Sequence, residues 1–344
     1  MKTFKHLTII FLGSFLLSCG SNSAQKKNDI SIKTNTESYA IALDRTLELA
    51  ILNPKNHEVS SVEFKIDGNP VSEKVDLSRY KLGEHLVEAS LNLGGKTEII
   101  SQKITILNNQ TPKVYSYKII NEYPHDITSY TQGLEFYKGV LYESTGQFGE
   151  SKLRKVDYKT GQVLKNVDLS DAYFGEGLTV LNNKLYQLTW KSGTGLVYDV
   201  NTLERTGSFK YGESKEGWGI CNDGNRLYKS DGTEKIWTLN PETLTEESFI
   251  QAYHNKGKVV ELNELEWVDG KIYANRYNKN GVAIINPING AVEGVIDFTP
   301  LRKIVTQHPK LDVLNGIAYN PETKTFFITG KHWDKLFEVE IIGK

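Results

Sequence analysis

Between residues 133 and 331 the sequence repeats one pattern: an apolar strand, a polar turn, and a second strand with Leu-Tyr or its equivalent. The copies are GLEFYKGVLYEST from Gly133, GLTVLNNKLYQLTW from Gly177, GICNDGNRLYKSDG from Gly219, ELEWVDGKIYANRY from Glu264 and GIAYNPETKTFFITGK from Gly316, with starts 44, 42, 45 and 52 residues apart. In the first four copies another strand, turn and strand follow, turning at Thr160-Gly161, Asn201-Thr202, Asn240-Pro241 and Asn289-Gly290, which are residues of the right kinds. Four strands at a period of 40 to 50 residues mark the blade of a β-propeller. The fifth copy stops after three strands, at KLFEVEII. The segment KVYSYKIINEY, Lys113 to Tyr123, is predicted to supply the missing fourth. Five blades then close with both ends of the repeat region in one sheet, and the otherwise bare edge of the last repeat is paired.

The rest of the chain adds a second, smaller β unit. Residues 28–107 contain TLELAIL, SVEFKIDG, HLVEASLNL and KITIL, separated by turns such as Asp67-Gly68 and Gly94-Gly95. Short strands at this spacing, with no helical period, predict a β-sandwich of immunoglobulin type. It has no cluster of chemical side chains, so a spacer or adhesion role is expected. Residues 108–113, NNQTPK, read as the linker, and 114–344 as the propeller. The expected class is all-β throughout.

Residues 1–18 have lysines at 2 and 5 and an apolar run from Leu7 to Leu17. That run is too short to span a bilayer and has the layout of a signal peptide. The ending Leu16-Leu17-Ser18-Cys19 resembles a bacterial lipobox, which implies cleavage before Cys19, lipidation of its sulfur and an extracytoplasmic, membrane-anchored protein. Residues 19–27 would be the tether. Cys221 is then the remaining cysteine, expected as a small buried core residue. With 41 basic and 42 acidic side chains the net charge is -1, which gives no general pull toward nucleic acid. Attachment to a membrane is expected through the lipid alone, and the chain is expected to be a monomer.

In a propeller the residues just before each first strand project into one mouth of the channel. Here those segments are SYTQG, YFGEG, EGWG, LNELE and VLNG. They bring Tyr130, Gln132, Phe174, Glu176, Trp218, Asn263, Glu264 and Asn315 toward one space. Trp190, Tyr277 and Lys331 join them from the ends of second strands, and three of the five tryptophans point there by this reading. An aromatic-walled hollow with few polar groups is the usual make-up of a small-ligand site.

The motifs YTQGL, YFGEGLT, LYQLTW, GWG, SDGT, LNELEWVDGKIYAN, DVLNGIA and TGKHWDKLFE, in this order and spacing, resemble the glutamine cyclotransferase family, the five-bladed glutaminyl cyclases of plants and bacteria. The resemblance covers about residues 115–342 and leaves the sandwich out. It implies conversion of an N-terminal glutamine of a peptide, or of free glutamine, to pyroglutamate with release of ammonia. It implies no cofactor; a structural cation in the channel is left open. The family places its acid/base at the position of Glu176, whose flanking Gly175 and Gly177 would let substrate approach closely. Partial burial beside Phe174 should raise its carboxyl. Gln132, Trp218, Asn263 and Lys331 match pocket positions: Trp218 as an N–H donor to the oxyanion, Gln132 and Asn263 on the substrate's amide or amine, Lys331 against negative charge. Phe174 and Trp190 would wall the pocket. Arg276-Tyr277 departs from the plant pattern and puts the tightness of the cage in doubt. The seven histidines are scattered, with no ligand spacing. Two other readings use the same mouth: a non-catalytic lipoprotein binding peptide or glycan, and a calcium-dependent lactonase-type propeller, which the aromatic excess argues against.

Overall fold

The structure, a computed structural model, describes residues 29–343. The signal segment, the lipobox with Cys19 and the whole tether lie outside the described residues.

Residues 31–107 form two packed sheets. One is three-stranded, Ser31–Thr34, Thr46–Leu52 and Lys74–Asp76; the other is five-stranded, in the order Ala40–Ala42, Lys96–Leu107, Gly83–Leu93, Val59–Ile66 and Asn69–Val71. Alternation sends Leu47, Leu49, Val87, Ala89, Leu91, Ile104 and Ile106 inward, as period-2 strands with one buried face require. Tyr253 and Ala291 from beyond residue 113 complete this core. The backbone joins there too: Leu82 N donates to Asn289 O at 2.8 Å, and Lys81 Nζ to Phe249 O at 2.9 Å.

The repeat region forms five four-stranded blades. Blade 1 is Thr131–Tyr137, Val140–Thr145, Lys152–Asp157 and Gln162–Asp168; blade 2 is Gly175–Leu181, Lys184–Thr189, Thr194–Asp199 and Arg205–Lys210. Blade 3 is Ile220–Asn222, Leu227–Ser230, Lys235–Leu239 and Glu246–Gln251; blade 4 is Leu262–Val268, Lys271–Arg276, Gly281–Ile285 and Val292–Asp297. Blade 5 has Leu314–Asn320, Thr325–Gly330 and Lys335–Gly343, and its outer strand is Lys113–Pro124. That strand pairs antiparallel with Lys335–Gly343, placing Leu336 against Tyr123 and Ile342 against Ser116. Its first residues also pair parallel with blade 4, Lys113 against Gly294, so one segment joins two blades. The predicted closure is present, with this additional seam.

The five first strands lie against one another in a closed ring. Side chains would hold them apart at the tightest points. A Cβ on Gly219 would stand 2.0 Å from Asn263 O, and one on Gly177 would stand 2.7 Å from Gly219 Cα. Blade 4 carries Glu264 where the other blades have glycine, and that carboxylate crosses the ring. It accepts Leu134 N at 3.3 Å and Ile317 N at 2.9 Å. Glu264 is therefore a strut of the channel wall, not a group at the mouth as the sequence suggested. Cys221 is buried in the core between blades 3 and 4, and burial pushes its thiol up.

Candidate active site

One backbone device builds the site in four of the five blades. The first-strand register slips between Thr131 and Gly133, Gly175 and Leu178, Leu262 and Leu265, and Leu314 and Ile317. Such bulges re-aim a side chain out of the ladder. The slips contain Gln132, Glu176, Asn263 and Asn315. The residues next to the hairpin ends face one another across the same rim: Trp190 N donates to Phe174 O at 3.0 Å, Tyr277 N to Glu261 O at 2.8 Å, and Lys331 N to Val313 O at 2.9 Å.

The result is a cavity of about 180 Å³ lined by Tyr130, Gln132, Gln147, Phe174, Glu176, Trp190, Trp218, Asn263, Tyr277 and Lys331. Nine of the eleven residues expected at the mouth line this one space; Glu264 and Asn315 do not. The cavity is smaller than the ~300 Å³ of drug-sized ligand sites, so it fits one amino-acid head. Phe174 packs on Trp190 at 5.5 Å between ring centroids, and Trp218 stands edge-on to Tyr277 at 5.7 Å. Phe174 also meets Tyr130 and Phe148 edge-on. Tyr277, where the sequence departs from the plant pattern, completes the wall. Two of the five tryptophans, Trp190 and Trp218, line the cavity, one fewer than the sequence suggested; Trp333 is fully buried and donates Nε1–H to Asp312 O at 3.1 Å.

Glu176 is only 4 % exposed, and its Oε2 has no hydrogen-bond partner among the described residues. Burial raises its proton affinity well above the usual carboxylate range. The charge of Lys331 opposes this, the charge of Glu216 adds to it, and the Gln132 amide opposes it. Lys331 is 2 % exposed; its ammonium stands 4.4 Å over the Tyr130 ring and 5.0 Å over the Tyr277 ring. Burial depresses its pKa while Glu176 and Asp312 hold it up. Gln132 Oε1 accepts from Asn315 Nδ2 at 3.0 Å, which leaves its NH2 for Glu176 or a ligand. Asn263 Oδ1, also buried, has no partner.

Three expectations need correction. Gly175 and Gly177 do not clear a path for substrate; added Cβ atoms would strike Thr145 O at 2.6 Å and Gly219 Cα at 2.7 Å. They serve the packing between blades. The Trp218 indole N–H is not free for an oxyanion, because it donates to Glu216 Oε2 at 2.9 Å. Asn315 is buried behind Gln132 and is not in the cavity wall.

Gln147 and Glu216 were missed. Gln147 has φ 93, a left-handed conformation rare for a non-glycine residue. Its carbonyl accepts Ser151 Oγ at 2.7 Å, and Ser151 Oγ in turn accepts Gly175 N at 2.9 Å. The segment TGQFGE carries only a turn signal for this. Glu216 lies in EGWG, two residues from Trp218, but its second partner, Trp190, comes from another blade.

The sequence profile described as glutamine cyclotransferase matches residues 90–341. A curated glutaminyl-peptide cyclotransferase from Arabidopsis thaliana is 37% identical over 235 residues, 67% of this chain and 72% of that protein. A crystal structure of glutaminyl cyclase from Myxococcus xanthus superposes with a TM-score of 0.63 at 35% identity, covering 68% of this chain and 99% of that one.

Proposed function

The chain belongs to the glutamine cyclotransferase family and is a glutaminyl-peptide cyclotransferase, and on that footing we propose that Glu176 carries the proton transfers of the reaction. The supporting observation is a buried carboxylate with one unpartnered oxygen in an aromatic pocket.

The substrate is an N-terminal glutamine. Its α-nitrogen attacks the side-chain amide carbon, the C–N bond closes a five-membered ring, and the amide nitrogen leaves as ammonia. The free α-amine has a pKa of ~7.7–8.0, so near neutral pH it arrives mostly as ammonium. A carboxylate whose proton affinity is raised by burial accepts that proton at little cost. Bond formation leaves two hydrogens on the ring nitrogen; one of them is lost to solvent, while the proton held by Glu176 moves to the departing amide nitrogen, which leaves as ammonia. One group thus serves both steps, and its raised pKa suits both directions of transfer.

The remaining residues divide the other tasks. Asn263 Oδ1, without a partner, accepts from the α-amine. The Gln132 NH2 steadies the Glu176 carboxylate or the first carbonyl of the substrate. With Trp218 committed to Glu216, the charge opposite the oxyanion falls to Lys331, a desolvated ammonium whose effect is strengthened by low-dielectric surroundings. Phe174, Trp190, Trp218 and Tyr277 exclude water and force the glutamine side chain back upon its own amine.

We further assign the mature protein to an extracytoplasmic membrane surface, held by lipid on Cys19, with the sandwich as a spacer beneath the propeller. Support comes from the leader of the sequence and from the seating of the sandwich against Tyr253 and Ala291. Labelling with a lipid precursor tests the anchor; a Cys19→Ala chain should lose the label.

For the chemistry, Glu176→Gln should abolish ammonia release from a Gln-initiated peptide while the melting temperature stays near that of the parent. Undiminished turnover in that variant removes Glu176 from the mechanism.

A further inference from the structure

The two indoles of the pocket come from different blades, and one carboxylate oxygen holds both. Trp190 follows the second strand of blade 2, and Trp218 precedes the first strand of blade 3. Their N–H groups donate to Glu216 Oε2 at 2.7 and 2.9 Å. A ring held by packing alone retains freedom, because the torsion that swings it has a broad well. A charge-assisted hydrogen bond at the ring edge removes that freedom.

Glu216 is itself fixed from several sides. Its carbonyl accepts the buried Lys229 Nζ at 3.0 Å. Its Oε1 lies 3.8 Å from Lys191 Nζ, and that ammonium also stands 3.9 Å over the Trp190 ring. Gly217 N donates to Trp190 O at 3.0 Å, tying the same two blades through the backbone. None of these groups is used by the proton transfers described above.

We propose that Glu216 is a positioning residue for cyclisation: its carboxylate sets the angle between the Trp190 and Trp218 walls, and those walls hold the glutamine side chain folded onto its own α-amine. This rests on the cyclase reading and extends it. An extended glutamine cannot react, so the rate depends on how narrowly the pocket selects the ring-like conformer, and small misplacements are costly. A second effect follows from charge. The groups that act on or respond to Glu176 are Lys331, Glu216, Gln132 and the Tyr130 and Tyr211 hydroxyls. Of these, Glu216 adds to the upward push of burial. Removing its charge moves the Glu176 pKa down, and the acid limb of activity moves to lower pH with it.

The experiment uses the full chain as parent, Glu216→Gln and Glu216→Ala, with steady-state kinetics on a Gln-initiated peptide across pH and tryptophan fluorescence. Glu216→Gln keeps an acceptor oxygen for the indoles. It should hold kcat/KM at its optimum within a few-fold while its acid limb shifts to lower pH. Glu216→Ala loses the acceptor; kcat/KM should fall by about 10²-fold, chiefly through kcat, with a changed indole emission. An Ala variant with parental kcat and emission overturns the proposal, and so does a Gln variant whose acid limb has not moved. If the Ala variant does not fold, the Gln pH profile still decides. A parent that releases no ammonia refutes the cyclase reading instead, so the two failures are distinct.

Discussion

At the scale of single residues the site depends on two buried groups of opposite charge that are not directly paired. Burial raises the Glu176 pKa and depresses that of Lys331, and each charge counteracts the other's shift. Replacing Lys331 by Met should therefore do two things. It removes the charge facing the oxyanion, lowering kcat by about 10²–10³-fold. It also frees the Glu176 pKa to rise, so the acid limb of kcat/KM moves to higher pH, opposite in sign to the Glu216→Gln shift. Rate measurements across pH check both parts; a limb that stays in place would separate Lys331 from Glu176 electrically. Glu176 was legible in the sequence because the repeat register places FGEG at the mouth. The partners of Trp218 were not, since a hydrogen bond from an indole to a carboxylate of a neighbouring loop leaves no periodic trace.

Among the elements, the loop from Gly212 to Trp218 matters most, because it delivers Glu216 and Trp218 without any strand of its own. A buried ion pair anchors it. Lys229, with no exposed surface, lies 3.4 Å from Glu246 Oε1, hydrogen-bonds Ser214 Oγ and donates to Glu216 O. Glu246 accepts Ser214 N at 3.1 Å and its hydroxyl as well. Lys229→Met strands a buried carboxylate and should cost about 3–5 kcal/mol. Glu246→Leu in the same chain should recover part of that stability, while KM stays raised because the loop has lost its anchor. Denaturant midpoints and KM values test this; full stability in the single variant would show that the pair does not anchor the loop. The first-strand bulges are the other decisive element. The sequence showed which segments precede the first strands, but a one-residue slip in pairing depends on neighbouring blades, and it was invisible there. The same holds for Glu264, which looked like a mouth residue because the repeat alone cannot tell inward along the ring from outward into the cavity.

For the molecule as a whole, ring closure is the stability question. The strand Lys113–Pro124 locks the last blade, and His125 clasps its end. His125 Nδ1 meets Trp333 O at 2.8 Å, its Nε2 meets Glu143 Oε1 at 3.0 Å, and its backbone N donates to Asp334 O at 2.9 Å. Burial by itself would lower the His125 pKa, but the Glu143 charge and hydrogen bond raise it on balance. Burial would likewise raise Glu143, yet His125 and Arg154 hold it down. A raised histidine contributes fully below its unfolded value of ~6.5 and loses that contribution as pH rises through the folded pKa. A depressed glutamate contributes above ~4.3 and loses it as pH falls through its folded pKa. The stability difference between the parent and His125→Gln should therefore be largest near pH ~5–6 and shrink toward alkaline pH. A difference that does not vary with pH would mean the clasp is neutral. The closure itself was readable, since a three-stranded final repeat demands a fourth strand. The seam to blade 4 through Lys113 and Gly294 was not, because parallel pairing over three residues has no sequence signature. The most direct test of the mechanism is the pH dependence of kcat/KM for ammonia release from a Gln-initiated peptide by the full chain. Activity is predicted to rise with pH along an acid limb well above the ~4.3 of an ordinary glutamate, and that limb should be missing in Glu176→Gln. A profile that is flat down through pH ~5, or a Glu176→Gln enzyme that keeps the limb, would contradict the assignment of the buried carboxylate as proton carrier.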